Sequence, residues 1–148
     1  MRKSFKTVLG VTLLEIMLVL AIAAMIIVMS IRYYQSASLN QKIAATVNNV
    51  TGIVAAAESY LSMNGSLTGV DTGMLAYLPG ARLPNSGWGG AMTISNISLN
   101  GYNINIPSVP NTGCAQLRSL LVQNTKFTIA FCPAAGPGFA TMVVQVLE

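Results

Sequence analysis

The stretch MRKSFKTVLG (residues 1–10) runs directly into VTLLEIMLVLAIAAMIIVMSI (residues 11–31), and this junction decides the architecture of the chain. Glu15 is the only charged residue between Val11 and Ile31. Because a helix of about 20 apolar residues crosses the core of a bilayer, residues 11–31 are predicted to span a membrane. Basic residues cluster before the span, whereas only Arg32 follows it closely, so the N-terminus is expected in the cytoplasm and residues 32–148 outside.

The composition of the whole chain is that of an anchored, exported protein. Its 148 residues are 53% hydrophobic and only 8% charged, whereas soluble globular domains carry roughly 25% charged residues. The length allows one anchor and one domain of modest size. Much of the formal charge of +4 lies in the first ten residues, and the other basic residues are scattered. We therefore predict no specific nucleic-acid partner.

The residue types needed for most catalytic and metal sites are scarce. The chain has no histidine, and Glu58, Asp71 and Glu148 are the only acidic residues after the span. A Zn²⁺ site, a Ser-His-Asp arrangement and a phosphate-binding glycine loop are all unsupported by this composition. The sequence predicts neither an enzyme nor a cofactor or metal site.

Glu15 is the anomaly of the apolar segment. A carboxylate placed one turn into a membrane span costs a few kcal/mol and is seldom left without a partner. It could reach the membrane surface by snorkelling, or it could pair with a cation from another chain. Gly10 precedes the apolar run, whereas a secretory signal has its small-residue cleavage site after it. Cleavage after Gly10 would keep the span and create an amine at Val11 that could pair with Glu15 of a neighbouring copy.

A basic leader, Gly10, VTLLE and a long apolar run, in this order, resemble the N-terminus of type IV prepilins. The resemblance implies cleavage between Gly10 and Val11 by prepilin peptidase and N-methylation of Val11. It also implies that Glu15 is a subunit-assembly carboxylate, and that the chain moves from the bacterial inner membrane into an extracellular pilus. The expected partners are further copies of the chain, the peptidase, the inner-membrane pilus assembly machinery and, before assembly, membrane lipid.

Two groups of alternatives stay open. A minor pilin or a type II secretion pseudopilin would share the N-terminal motif, and a single-pass protein could instead anchor an exported binding domain. The motif also leaves open whether such a pilus serves cell adhesion, motility, conjugation or DNA uptake.

Beyond the span, residues 32–63 read as the amphipathic half of the same helix. Apolar residues recur there every three or four positions and predict one face that packs on a sheet. The predicted face consists of Leu39, Ile43, Val47, Val50, Val54, Ala57 and Leu61. Gly52 is a point where the helix could bend. Residues 64–90 are rich in turn-forming residues and are expected to form a loop with one helical turn at 74–78.

Residues 91–148 are predicted to form the sheet. Two strands, 92–99 and 102–106, flank Asn100-Gly101, a dipeptide favoured at the centre of two-residue hairpin turns. A short helix follows at 112–123 with Leu117, Leu120 and Leu121 facing inward, and two further strands lie at 126–132 and 139–147. The fold class is therefore α+β, a long helix on an antiparallel sheet of about four strands, which is also the type IV pilin fold that the resemblance implies.

The two cysteines, Cys114 and Cys132, lie in the exported region, where an oxidising compartment favours a disulfide bond over two buried thiols. Such a bond resembles the disulfide-bounded C-terminal region of type IV pilins. The segment YYQSAS at 33–38, NSGWGG at 85–90 and a helix after the first cysteine resemble a type IVb major pilin. The leader of only ten residues departs from that subclass.

Overall fold

The computed structural model describes residues 12–132 and 139–147. The chain forms two compact units, Met1–Ser38 and Leu39–Glu148. The helices are α1 (Leu13–Asn64), α2 (Val70–Gly73) and α3 (Asn111–Leu121), with single 3-10 turns at Met74–Tyr77 and Pro79–Ala81. The strands are β1 (Thr93–Ser98), β2 (Gly101–Pro110), β3 (Phe127–Phe131) and β4 (Phe139–Leu147). They form one antiparallel sheet in the order β1-β2-β4-β3, and the arrangement is α+β and matches the type IV pilin-like fold.

Helix α1 is long because nothing in its sequence stops it before the turn that follows Asn64. The helix continues through Gly52, and a Cβ added there would meet no atom within 4 Å. It ends one residue later than the sequence predicts, where Gly65 adopts a φ of 68° and its N–H donates to the Leu61 carbonyl at 2.7 Å. A glycine in the left-handed conformation is a common helix stop because it satisfies a free carbonyl of the last turn.

The half of α1 that belongs to the Leu39–Glu148 unit buries the apolar face predicted from its periodicity. Four of the predicted residues are buried and three are half-buried against the core. Thr46, Ile53 and Ala56 are buried as well, so the buried stripe is wider than predicted. Across the core lie inward-facing side chains of β2 and β4, namely Tyr102, Ile104, Ile106, Val109, Met142, Val144 and Val146.

Strand β2 extends beyond its predicted end at Ile106, because a bulge at Pro107 and Ser108 lets its pairing with β4 continue. Its side chains alternate inward up to Ile106, and the next buried residue, Val109, comes three positions later. The pairing register with β4 shifts between these two residues, and Ser108 has a φ of 60°. A bulge adds one residue to a strand, so Val109 returns to the core side and pairing continues to Pro110.

The hairpin between β1 and β2 does not use Asn100-Gly101 as its centre, which corrects the sequence prediction. Ser98 pairs with Gly101, so Leu99 and Asn100 occupy the central positions, and neither has a positive φ. Gly101 is instead needed at the start of β2, because a Cβ there would collide with the Val146 carbonyl of β4.

Two further predictions need correction. Leu117 and Leu121 of α3 are buried, whereas Leu120 is 46% exposed. Successive helical residues are rotated by about 100°, so Leu117 and Leu121 share one face of the helix and Leu120 lies beside it. The segment 64–90 also has more structure than the single turn predicted at 74–78. Its helix and 3-10 turns extend from Val70 to Ala81, and the segment adds Leu67, Val70, Met74 and Leu78 to the core.

Candidate functional site

Glu15 occupies the first turn of α1, where Thr12 caps the helix. The Thr12 carbonyl accepts hydrogen bonds from the Glu15 and Ile16 N–H groups at 3.0 and 3.2 Å. The Thr12 hydroxyl oxygen also accepts from the Glu15 N–H at 3.3 Å. Thr-x-x-Glu at a helix start is the signature of a capping box, a signal that the sequence reasoning about Glu15 missed. Gly10 and Val11, the other two predicted site residues of this segment, lie outside the described residues.

The Glu15 carboxylate has a favourable position on its own helix and forms no ion pair with the residues that the structure describes. It is exposed and lies at the positive end of the helix dipole, which favours a negative charge there. Within residues 12–132 and 139–147, the salt bridge present joins Lys126 to Glu58, and Glu15 forms none. The cap therefore explains a carboxylate at the helix start, and no salt bridge within the described residues neutralises its charge.

The N-terminal part of α1 presents apolar side chains on all sides. In the described chain, α1 is the one helix long and apolar enough to cross a bilayer, and none of its most apolar stretch is buried. Leu13 is 77% exposed, and the large apolar residues from Leu14 to Ile31 are exposed as well. A continuous apolar surface of this size marks contact with lipid or with other protein. This helix is a candidate membrane anchor.

The segment NSGWGG (residues 85–90) is fixed to α1. The Gly87 N–H donates to the Thr46 hydroxyl at 2.9 Å, and that hydroxyl donates to the Lys42 carbonyl at 2.8 Å. The Asn49 side-chain amide donates to the Asn85 carbonyl at 2.9 Å. A Cβ on Gly87 would collide with the Lys42 carbonyl, so only glycine allows this approach.

The same segment also contacts β2 and α3. The buried Ser86 hydroxyl lies 2.5 Å from the Gly89 carbonyl and 3.1 Å from the Pro107 carbonyl. Trp88 is half-buried against the core, and a Cβ on Gly113 would come within 2.7 Å of its ring. Trp88 thus packs on the core. NSGWGG is a structural turn that connects α1, β2 and α3.

A disulfide bond joins Cys114 of α3 to Cys132, directly after β3, as the sequence favours. The two residues are 18 positions apart and their Cα atoms are 6.2 Å apart. The Cys114 side chain is fully buried, so the bond is anchored in the core. It connects α3 to the end of an edge strand of the sheet.

The described residues contain no group of three or more His, Cys, Asp or Glu side chains that could hold a metal ion. The predicted site residues inside the described range thus fall into two places: Glu15 at the start of α1, and the cysteine pair in the Leu39–Glu148 unit. Comparison with protein-family models, with curated proteins and with solved structures finds no match to this chain.

Proposed function

We propose that this chain is the structural subunit of a type IV pilus. It is cleaved after Gly10 by prepilin peptidase, N-methylated at Val11 and polymerised through its N-terminal helix. The observation that carries the proposal is an apolar helix exposed on all sides whose first turn presents Glu15, a carboxylate without an ionic partner on the described chain. A simple membrane anchor needs the apolar surface, but capping its helix does not require a charge, because glutamine suits a capping box as well as glutamate does.

The exposed apolar surface of the helix and the Glu15 carboxylate both support assembly into a filament. Before assembly, lipid covers the apolar surface of the helix. In the filament, helices of neighbouring copies replace the lipid, and the small side chains of Ala21, Ala23 and Ala24 permit them to approach closely. The Val11 amine of one copy then pairs with Glu15 of another. Because an unpaired charge in apolar surroundings costs several kcal/mol, this pairing sets the register between copies.

The proposed life cycle gives the chain two locations. It is first a single-pass protein of the bacterial inner membrane with its N-terminus in the cytoplasm, where it meets the peptidase and the assembly machinery. It then forms part of an extracellular filament, where the disulfide bond between Cys114 and Cys132 resists unfolding. The disulfide bond, and the lack of acidic residues for Ca²⁺ in the sequence between Cys132 and Val146, favour a pilin over a pseudopilin.

Mass spectrometry of the chain isolated from cells tests the processing step. We expect a mature N-terminus at Val11 that carries one methyl group, and a Gly10→Val variant should retain residues 1–10. An intact N-terminus at Met1 in the wild-type chain would exclude the pilin proposal and favour a single-pass anchor for a binding domain.

Quantifying the chain in purified filaments separates a major from a minor subunit. As a major pilin, the chain should make up most of the filament protein. If it is only a trace component, it is a minor pilin, and the proposal of a structural major subunit fails.

A further inference from the structure

The Leu39–Glu148 unit contains a cavity of about 700 Å³ that none of the predicted site residues touches. It lies between α1, the segment that follows the 3-10 turn at Met74–Tyr77, and the residues just before β1. Its size falls within the range of about 300–1,000 Å³ that is usual for small-molecule sites.

The lining of the cavity combines an apolar floor with free polar groups. Leu78 and Met92 are buried and form the floor, while Asn48, Arg82 and Asn85 are exposed at the wall. Within the described chain, the side chains of these three polar residues take part in no hydrogen bond or ion pair. They are therefore able to bind a ligand without first breaking a contact inside the protein.

Two local features that weaken the fold border the same cavity. Gly52 lies inside α1, where alanine would be more stable, and no neighbouring atom requires a glycine there. Ala81, directly before Arg82, has a φ of 51°, a conformation that residues with a Cβ rarely adopt. Gly52 leaves the helix side of the cavity open, and the turn at Ala81 leads into Arg82 at its wall. A positive φ at a residue with a Cβ is strained, and strain of this kind is often found at functional sites.

The chemistry of the lining selects one class of ligand. The guanidinium of Arg82 matches a carboxylate in a two-bond geometry, and asparagine amides both donate to and accept from hydroxyl groups. The lining residues include no charged group other than Arg82 and no aromatic ring, so they favour a monoanion over a doubly charged phosphate or an aromatic ligand. We propose that the cavity binds the carboxylated ring of an acidic saccharide, with Arg82 on the carboxylate and Asn48 and Asn85 on hydroxyl groups.

Ligand-observed NMR on the full chain in detergent micelles tests the proposal directly. Saturation transfer from protein to glucuronate should be saturable, and binding of glucose at the same concentrations should be at least about tenfold weaker because it lacks the charged contact. Equal binding of glucose and glucuronate would overturn the proposal. Displacement of glucuronate by a lower concentration of inorganic phosphate would also overturn it, since the site would then be an anion site.

Two matched variants locate the binding. Arg82→Gln should weaken glucuronate binding about tenfold, whereas Arg118→Gln, which removes an exposed charge on α3 outside this cavity, should leave it unchanged. Gly52→Leu should abolish binding by filling the cavity. Thermal unfolding of Gly52→Leu shows whether this variant folds. If it does not fold, Arg82→Gln alone tests whether the cavity is the binding site. Unchanged binding in Arg82→Gln, or equal losses in both arginine variants, would overturn the assignment. None of these outcomes depends on cleavage at Gly10.

Discussion

Gly87 and Gly52 differ in the space that each leaves for a Cβ atom. At Gly87 the Lys42 carbonyl occupies the place where a side chain would begin. At Gly52 the same place is open, and the residue is helical. An identical substitution should therefore change the stability of the folded chain in opposite directions.

We expect Gly87→Ala to lower the free energy of unfolding by about 1–3 kcal/mol, because the collision displaces NSGWGG from α1. Gly52→Ala should raise it by up to about 1 kcal/mol through helix propensity. Thermal unfolding of the full chain in detergent, followed by circular dichroism, measures both. If both alanines lowered the midpoint equally, the distinction between a blocked and an open position would be wrong.

Thr46 is a second residue whose effect on stability follows from its contacts. Its buried hydroxyl accepts the Gly87 N–H and donates to the Lys42 carbonyl. Thr46→Val keeps the shape but leaves the Gly87 N–H without its acceptor, so we expect a loss of about 1–3 kcal/mol. Thr46→Ser keeps the hydroxyl and serves as the control. Denaturant unfolding should rank wild type above the serine variant and the serine variant above the valine variant; the reverse order of the variants would exclude the hydrogen bond as the cause.

At the scale of elements, the sequence predicted those whose apolar pattern is repetitive. The period of α1 beyond Ser38 and the alternation of Tyr102, Ile104 and Ile106 identified the buried faces correctly. The predicted hairpin register is wrong because Asn100-Gly101 does not act as a local turn signal in this chain. Gly101 is instead required by the approach of β4, a strand more than 35 residues away in the chain. A contact of that kind leaves no local signal in the sequence.

The short helix α2 and the 3-10 turns were under-predicted for a related reason. Segments of three or four residues are not stable helices in isolation, so their conformation depends on burial in the folded domain. Val70 and Met74 are fully buried, and these contacts hold the turns in place. Glu15 differs from Gly101 and from these short turns, because its capping partner Thr12 is only three residues away. The capping signal Thr-x-x-Glu is therefore present in the local sequence.

The disulfide bond connects two elements and should stabilise the domain mainly by restricting its unfolded state. For a loop of 18 residues, the double variant Cys114→Ala/Cys132→Ala should lose roughly 3 kcal/mol. Denaturant unfolding with and without a reducing agent measures this loss. The reductant should lower the midpoint of the wild-type chain and leave that of the double variant unchanged. A wild-type midpoint that does not respond to full reduction would show that the bond adds no stability.

At the scale of the whole molecule, Glu15 has two proposed roles, one in capping α1 and one in pairing with another copy of the chain. The residue belongs to a capping sequence with Thr12 at the start of α1, and it forms no salt bridge within the described residues. In the proposed filament, its charge would pair with the Val11 amine of a neighbouring copy. Capping affects one helix, whereas pairing affects the filament. Separate substitutions can remove one role and leave the other.

Glu15→Gln keeps a side chain that suits a capping box but removes the charge, while Thr12→Val removes the cap and keeps the charge. If Glu15 pairs with the Val11 amine, Glu15→Gln should be processed normally yet yield at least about tenfold fewer filaments, because a desolvated amine without its partner costs roughly 3–5 kcal/mol. Thr12→Val should lose only about 1 kcal/mol of helix stability and still assemble. Electron microscopy of sheared filaments, with mass spectrometry of the processed chain, measures both effects. Normal filaments from Glu15→Gln together with failed assembly of Thr12→Val would instead show that Glu15 matters only as part of the helix start.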